Sequence, residues 1–149
     1  MKIDPAHKTR QYSTFKVDGL FLGIEVVAVQ EVIRFQEMTE VPLAPAVIEG
    51  LINLRGQIVT ALDTRRALGL CPASEGVLPM NIVVRSEDGV FSLLVDEIGD
   101  VLDVPLESYA QPPENMPAEQ RELIEGIYKL DDRLMLVLNT QCLLRKACN

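Results

Sequence analysis

The chain of 149 residues has few of the side chains from which metal and disulfide sites are built. It contains a single histidine, His7, no tryptophan, and three cysteines, Cys71, Cys142 and Cys148, without C-x-x-C spacing. Zinc sites draw their ligands from clusters of cysteine and histidine, and a disulfide framework needs paired cysteines. We therefore expect no metal site and no disulfide, and thiols that are buried or incidental.

Long apolar runs and an excess of positive charge are also missing. No uncharged apolar run approaches the roughly 18 residues that a membrane-spanning helix requires, and residues 1–8 lack the apolar core of a secretory signal. The net charge is −8, from 22 acidic and 14 basic residues, which repels phosphate backbones and anionic lipid. The expectation is a soluble, cytoplasmic protein that binds no nucleic acid and does not insert directly into a membrane.

The sequence patterns of common catalytic sites are absent as well. The chain has no G-x-G-x-x-G, P-loop, G-x-S-x-G or H-E-x-x-H pattern. Residues 62–64 (LDT) and 138–140 (LNT) are superficially similar to the paired loops of aspartic proteases, which need two carboxylates that share a proton. Because Asn139 stands in the second copy, an amide replaces one of those carboxylates, which disfavours aspartic-protease chemistry. With the other patterns absent too, we predict a protein that is not an enzyme and uses no cofactor. A small-ligand sensor would need an enclosed pocket, and the sequence leaves that alternative open.

What the chain does contain is a series of short, β-branched segments separated by tight turns. With 48% hydrophobic residues, it has enough apolar material for one folded unit. No long amphipathic helix is present, which disfavours bundles and doubly wound sheets. Capping residues predict short helices over 65–68 and 140–146. Further predictions are turns at Asp18-Gly19, Arg55-Gly56, Asp88-Gly89 and Asp131-Asp132, helical turns at 46–48 and 118–123, a linker at 71–79 and a loop at 111–117.

An internal repeat is the strongest feature of the sequence. Residues 48–64 (IEGLINLRGQIVTALDT) and 124–140 (IEGIYKLDDRLMLVLNT) share Ile, Glu, Gly, Leu, Leu and Thr at matched positions, and residues 23–33 correspond to 92–102 upstream. Blocks repeated in one order indicate duplication of a strand-rich unit, with halves of about 10–70 and 79–146 in a single domain of residues 1–149. The predicted fold is mainly all-β, with two small barrel lobes that share a hydrophobic core. The alternative is one continuous sandwich.

The repeat separates positions that the scaffold explains from positions that are free to serve function. Gly50 and Gly126 are shared, which indicates a bend that a side chain would obstruct. At one hairpin turn, Arg55-Gly56 in the first copy corresponds to Asp131-Asp132 in the second. Either pair makes the turn, so the fold does not require an arginine there. Arg55 either offers its donor fork to a partner carboxylate or is an ordinary solvated residue.

Several segments in one order resemble the CheW-like domain family. Residues 50–59 (GLINLRGQIV), followed by 62–66 (LDTRR), are similar to its central pattern. Its other marks have counterparts in residues 29–32 (VQEV), 94–96 (LVD) with 101–102 (VL), and 132–139 (DRLMLVLN). The resemblance covers roughly Arg10 to Arg145. The chain departs from the family pattern at Thr64, where leucine is common, at Cys142, where a charged residue is usual, and in its proline-rich loop at 111–117.

The resemblance implies a pair of SH3-like five-stranded β-barrels around a common core, and an adaptor without catalysis. Members of the family bridge the cytoplasmic tip of chemoreceptors and the regulatory domain of a CheA-type histidine kinase in bacterial chemosensory arrays. This implies a cytoplasmic protein that is recruited to membrane-associated receptor arrays. No receiver or kinase domain is attached, which favours a stand-alone adaptor over a hybrid one. A system with a pilus-based or other non-flagellar output is the alternative.

The same resemblance implies which residues bind the partners. The groove between the lobes would take the receptor through Val29, Glu31, Gly50 and Arg55. The strands around Val95 and Ile98 would face the receptor or the kinase. A helical receptor tip would lay its apolar positions into the groove, and Arg55 would orient it through a charge-assisted hydrogen bond or support the groove from beneath.

Overall fold

The computed structural model describes residues 8–74, 76–87 and 89–148, with only the backbone of Cys148. His7, Glu75 of the predicted linker and Asp88 of the predicted turn lie outside the described residues. The strands are β1 (Thr9–Val17), β2 (Leu20–Glu25), β3 (Val29–Ile33), β4 (Ile48–Leu54), β5 (Gln57–Asp63), β6 (Met80–Ser86), β7 (Gly89–Val95), β8 (Glu97–Pro105), β9 (Tyr109–Ala110), β10 (Ile124–Lys129) and β11 (Leu134–Leu138). The α-helices are α1 (Thr64–Ala67), α2 (Ala118–Leu123) and α3 (Thr140–Cys148), and single 3-10 turns cover Val26–Ala28 and Leu106–Ser108.

The strands form two sheets, which confirms the prediction of a mainly β fold with two lobes. One sheet has six strands in the order β8-β1-β2-β11-β10-β9, and the other has five in the order β3-β6-β7-β5-β4. We call them the six-strand lobe and the five-strand lobe. The sixth strand is the two-residue β9 beside β10, and the matching place in the five-strand lobe holds a single bridge between Thr39 and Leu51.

Each lobe is assembled from both halves of the sequence. β1 and β2 of the first half pair with β8 and β11 of the second half, and β6 and β7 of the second half pair with β3 and β5 of the first. The two contacts that join the halves through β2–β11 and β5–β7 are parallel, whereas the neighbouring pairs are antiparallel. The chain therefore crosses from one lobe to the other between β2 and β3, and again between β7 and β8.

The repeated segments make the same local bonds in both lobes. The N–H of Asp63 donates to the carbonyl of Val47, and the N–H of Asn139 donates to that of Leu123, each at 2.7 Å. The side chain of Asp63 accepts from the N–H of Arg66 at 3.2 Å, and that of Asn139 accepts from the N–H of Cys142 at 3.1 Å. Both predicted helix caps are thus confirmed.

The shared glycines sit where another part of the chain comes close. β4 has an irregular register between Ile48 and Gly50. A Cβ atom on Gly50 would lie 2.9 Å from the carbonyl oxygen of Thr39 and 3.0 Å from the Cβ atom of Met38. A Cβ atom on Gly126 would lie within 2.3 Å of the ring of Tyr109. At Gly50 an added methyl group would force the backbone of Thr39 to shift, whereas at Gly126 it would displace the end of the Tyr109 side chain.

Three apolar clusters of described residues form the interior of the two lobes. The largest lies between them and takes buried side chains from both, such as Phe15 and Leu22 from one lobe and Leu62 and Leu93 from the other. A second cluster belongs to the six-strand lobe alone, and a third, around Ile52, belongs to the five-strand lobe alone. A common core with a smaller core on each side agrees with the predicted arrangement.

Two details differ from the sequence-based expectation. The helical turn predicted at 46–48 is wrong in part, because Ile48 already pairs with Leu62 as the first residue of β4. The strand predicted at 101–104 is longer, since β8 begins at Glu97 and pairs along β1. Within the described part of the chain, no helix has the length and apolar character needed to cross a bilayer.

Candidate functional site

The turn between β4 and β5 presents Arg55 at the end of the five-strand lobe. Arg55 and Gly56 both have positive φ, 52° and 88°, as two-residue hairpin turns with a right-handed strand twist require. The side chain of Asn53 accepts a hydrogen bond from the N–H of Gly56 at 2.9 Å, which stabilises this turn. The side chain of Arg55 is 72% exposed.

Arg55 forms an ion pair with Glu31, which lies on β3 and is 23% exposed at its side chain. The guanidinium Nη2 donates to Glu31 Oε2. β3 and β4 are the two edge strands of the five-strand sheet, so the pair connects its opposite edges. Of the six residues that the sequence proposed as partner contacts, the structure brings Glu31 and Arg55 into direct contact. This pairing could not be predicted from sequence, because 24 positions separate the two residues.

Val29 and Gly50 lie near this pair but offer less to a partner. Val29 stands opposite Val84 and is packed against the core between the lobes. Gly50 is buried, and its place next to Met38 and Thr39 is set by the fold. Their part in any binding surface is to shape it.

Val95 and Ile98 flank the crossover from β7 to β8. The side chain of Val95 is only 1% exposed and belongs to the shared core. Direct contact between that side chain and a partner is therefore incompatible with this conformation. Ile98 is half-buried opposite Phe15 of β1 and lies closer to the surface.

A charge cluster at the same crossover was missed by the sequence analysis. Arg65 of α1 donates from Nε to Asp96 Oδ1 at 3.0 Å and from Nη2 to Asp96 Oδ2 at 2.6 Å. The N–H of Asp18 donates to Asp96 Oδ2 at 2.7 Å, and Asp18 Oδ1 lies 3.5 Å from Arg65 Nη1. One signal was present: Arg65 corresponds to Gln141 in the second copy, which is the same kind of difference that singled out Arg55.

The electrostatics of this cluster favour the charged forms. Burial raises the pKa of Asp96, but hydrogen bonds from the Arg65 guanidinium and the Asp18 N–H outweigh it, so the pKa lies below its usual value. The hydrogen bond to Asp96 likewise raises the pKa of Arg65. Both groups are charged at neutral pH, and each stabilises the other.

Exposed apolar side chains recur at matched positions of the two lobes. Val32 on β3 and Val101 on β8 are exposed, as are Ile58 and Leu134 just after the two hairpin turns. Val101 follows Ile98 along β8, and Val32 is next to Glu31 on β3. Exposed apolar positions beside charged groups are typical of protein-docking surfaces.

The two positions compared with a protease dyad have structural roles in this fold. Asp63 and Asn139, the positions compared with a protease dyad, each use their side chain to cap a helix. A groove of about 420 Å³ lies beside Asp63, Arg65 and Leu94, and part of its wall is open to solvent. In residues 8–74, 76–87 and 89–148, no group of three or more His, Cys, Asp and Glu side chains could hold a metal ion.

Comparison with known proteins identifies the family. Residues 11–148 match the CheW-like domain. Chemotaxis protein CheW of Bacillus subtilis is 30% identical over 132 residues, covering 89% of this chain and 85% of the relative. Chemotaxis protein CheW of Treponema pallidum is 26% identical over 133 residues, covering 87% and 78%. The crystal structure of scaffolding protein TtCheW from Thermoanaerobacter tengcongensis superimposes with a TM-score of 0.79 at 26% identity, covering 89% of this chain and 90% of that one. The chain therefore belongs to the CheW-like domain family.

Proposed function

We propose that this chain is a non-catalytic adaptor that couples chemoreceptors to a CheA-type histidine kinase in a bacterial chemosensory array. The match to the CheW-like domain over residues 11–148 carries the proposal, because it spans nearly the whole chain. Relatives of similar length are named as chemotaxis proteins, and a similar solved structure is named as a scaffolding protein. An adaptor acts by binding alone, in keeping with the exposed apolar and charged side chains on both lobes.

The receptor surface in this proposal is the rim of the five-strand lobe around Glu31 and Arg55. Val32, next to Glu31 on β3, and Ile58, on β5 just after the turn that carries Arg55, supply exposed apolar side chains. A helical receptor tip would pack its apolar face against them. Among the described residues, Glu31 is the side chain to which Arg55 donates, through one of the five N–H groups of the guanidinium, so other N–H groups can serve a partner. A carboxylate or carbonyl of the receptor would accept from these.

The second surface in this proposal is the outer side of β8. Ile98 and the exposed Val101 lie along this edge strand of the six-strand lobe, and the regulatory domain of the kinase would contact them there. Val95 would act from within the core by holding β7 against β8. Simultaneous use of two separate surfaces lets one small protein join two partners. Such binding would place this cytoplasmic adaptor at membrane-associated receptor arrays.

Replacement of Arg55 tests the receptor surface. Arg55→Ala and Glu31→Ala should each weaken binding of a soluble receptor cytoplasmic fragment by about tenfold or more, because charged anchors at an interface contribute about 1.4 kcal/mol or more. Their free energy of unfolding should change by less than about 1 kcal/mol, since exposed ion pairs contribute little to stability. Calorimetric titration and urea unfolding measure the two quantities.

Arg10→Ala provides the matched control, because Arg10 forms an exposed ion pair with Glu25 at 3.2 Å on the other lobe. It should leave receptor binding unchanged. If Arg55→Ala instead binds the receptor fragment as the parent does and loses several kcal/mol of stability, Arg55 is a structural residue and this assignment is wrong.

A further inference from the structure

Arg65 connects four separate segments of the chain through one guanidinium. It lies on α1, pairs with Asp96 at the β7–β8 crossover, lies 3.5 Å from Asp18 in the β1–β2 turn, and donates to the carbonyl of Cys71 at 2.7 Å. α1 follows the five-strand lobe, whereas the β1–β2 turn belongs to the six-strand lobe. The cluster therefore joins the two lobes directly. We call it the Arg65 latch.

The geometry of the latch is bidentate and partly shielded from water. Nε and Nη2 of Arg65 each donate to a different oxygen of Asp96, at 3.0 and 2.6 Å. The side chains are 18% and 24% exposed. The backbone N–H of Asp96 also donates to the carbonyl of Lys16, at 3.0 Å. Two parallel bonds fix orientation as well as distance, and the single ammonium of a lysine cannot reproduce them.

Within the part of the chain that the structure describes, the equivalent crossover in the other half has no such latch. By the repeat, the β2–β3 crossover corresponds to the β7–β8 crossover, and Val27 stands where Asp96 does. Val27 is 76% exposed. Gln141 stands in the place of Arg65. The β2–β3 crossover forms with Val27 and Gln141 in the places of Asp96 and Arg65. The repeated unit therefore does not need this ion pair in order to fold.

The position of the latch relates it to partner binding. Asp96 lies between Val95 and Ile98, at the start of the strand that carries Ile98 and Val101. Movement of Asp96 would move the beginning of β8 against β1. We propose that Arg65 is a positioning residue: it holds the β7–β8 crossover and the two lobes in the orientation that the β8 surface needs to bind its partner. The partner half of this statement rests on the function proposed above.

The orientation half is tested on the free full-length chain by amide hydrogen exchange and residual dipolar couplings. Arg65→Met should speed exchange at Asp96 and Ile98 by about tenfold or more, and leave the amides of β3 unchanged. In the parent, the residual dipolar couplings of both lobes should fit one common orientation. In Arg65→Met, the two lobes should require two different orientations. Arg65→Lys, which keeps the charge and loses the bidentate geometry, should change the same signals in the same direction by a smaller amount.

Arg66→Met is the matched control, since Arg66 is exposed and its guanidinium donates only to the carbonyl of Ala46 among the described residues, at 3.3 Å. If exchange and couplings in both Arg65 variants equal those of Arg66→Met, the latch does not position the lobes. Arg65→Lys keeps the test decisive if Arg65→Met fails to fold.

The binding half is tested by calorimetric titration with the regulatory domain of a CheA-type kinase. Arg65→Met and Arg65→Lys should bind more weakly than Arg66→Met, by about tenfold for the methionine variant. Altered lobe orientation with unchanged binding would overturn the positioning role. If the parent chain itself does not bind, the proposed function fails, and the exchange and coupling data still decide whether Arg65 orients the lobes.

Discussion

At the scale of single residues, Thr64 is a buried side chain whose polar atom has no partner. It is fully buried at the start of α1, and its Oγ1 makes no hydrogen bond within the described parts of the chain. A buried hydroxyl without a partner costs free energy, because it has lost its hydrogen bonds to water.

Replacing Thr64 should therefore stabilise the protein. Thr64→Val keeps the shape of the side chain and removes the hydroxyl, and we expect the free energy of unfolding to rise by about 1 kcal/mol. Urea unfolding followed by circular dichroism measures the change. Thr140→Val, at the corresponding and only half-buried position, should have a smaller effect. If Thr64→Val instead lowers the free energy of unfolding by about 1 kcal/mol, the Thr64 hydroxyl makes a stabilising hydrogen bond.

The ionisation of Asp96 makes the stability of the protein depend on pH. Its pKa is lower in the folded chain than its ordinary value, despite the opposing effect of burial, because Arg65 and the Asp18 N–H bind the carboxylate. The ionised form contributes stability that is fully present above about pH 4, near the ordinary pKa of aspartate, and is lost as the pH falls through the lower folded value. Asp96→Asn should remove this part of the acid-induced loss.

Urea unfolding between pH 3 and 7 (roughly the range in which carboxylates titrate) measures this dependence. Glu125 gives a contrast, since burial and the neighbouring Glu25 raise its pKa. The folded chain favours the protonated form of Glu125, so this residue adds stability as the pH falls, opposite to Asp96. Glu125→Gln should therefore steepen the loss of stability at low pH. Identical pH profiles for the parent and Asp96→Asn would contradict the assignment of Asp96.

Residue roles were predictable from sequence only where local geometry decides them. The caps at Asp63 and Asn139 follow from their position before a helix, and the structure has both. The contacts of Arg55 with Glu31 and of Arg65 with Asp96 depend on strands that are distant in sequence. Differences between the two copies marked both arginines, but such differences do not name the partner of either one.

At the scale of elements, Gly50 shows how one position sets the path of β4. Gly50 stands opposite Ala61 on β5, and the next residue, Leu51, exchanges two backbone hydrogen bonds with Thr39. Gly50→Ala should destabilise the protein by about 1–3 kcal/mol, because the added methyl group would meet the backbone of Thr39 at 2.9 Å and that backbone must shift. Thermal or urea unfolding measures this.

Gly56 supplies the control for that substitution. It has φ +88° and no atom within 4 Å of an added Cβ. Asparagine tolerates the left-handed region, so Gly56→Asn should lower the free energy of unfolding clearly less than Gly50→Ala does. Equal effects would show that crowding at Thr39 is not what requires glycine at position 50.

Strand ends were less predictable than strand positions. β3, α2 and the turn at Arg55-Gly56 lie where the sequence placed them. β8 is longer than predicted because β1 continues to pair with it past the bulge near Ser13 and Phe15. β9 is only two residues long and exists because β10 offers Ile127 and Tyr128 for pairing. The ends of these strands depend on the strand that pairs with them. The β-propensity of the local sequence does not reveal that partner.

At the scale of the whole molecule, the exchange of strands between the halves is the feature that the repeat could not predict. A repeat indicates two similar units, but it gives the same pattern whether each unit closes on itself or completes the other. In this chain each sheet takes strands from both halves. The large shared cluster then buries side chains from both lobes at once. The limits of the halves at about 10–70 and 79–146 stay a prediction.

Strand exchange makes separate folding of the halves unfavourable. Fragments cut in the linker, 1–75 and 76–149, should each lack cooperative unfolding, since neither contains a complete sheet. Mixed at equal concentration, they should regain the circular dichroism and the cooperative transition of the intact chain. The control is the full-length chain that is allowed to fold first and is then cut between residues 75 and 76. A fragment that unfolds cooperatively alone would show that its half is an independent unit.

The proposed function requires that one chain binds two partners at once. Calorimetric titration of the full-length chain with the regulatory domain of a CheA-type kinase from the same organism, followed by titration of that complex with the cytoplasmic receptor fragment, tests it most directly. We predict saturable binding with one-to-one stoichiometry in the first step and further saturable binding in the second. Absence of binding in the first step, or displacement of the kinase domain by the receptor in the second, would contradict it.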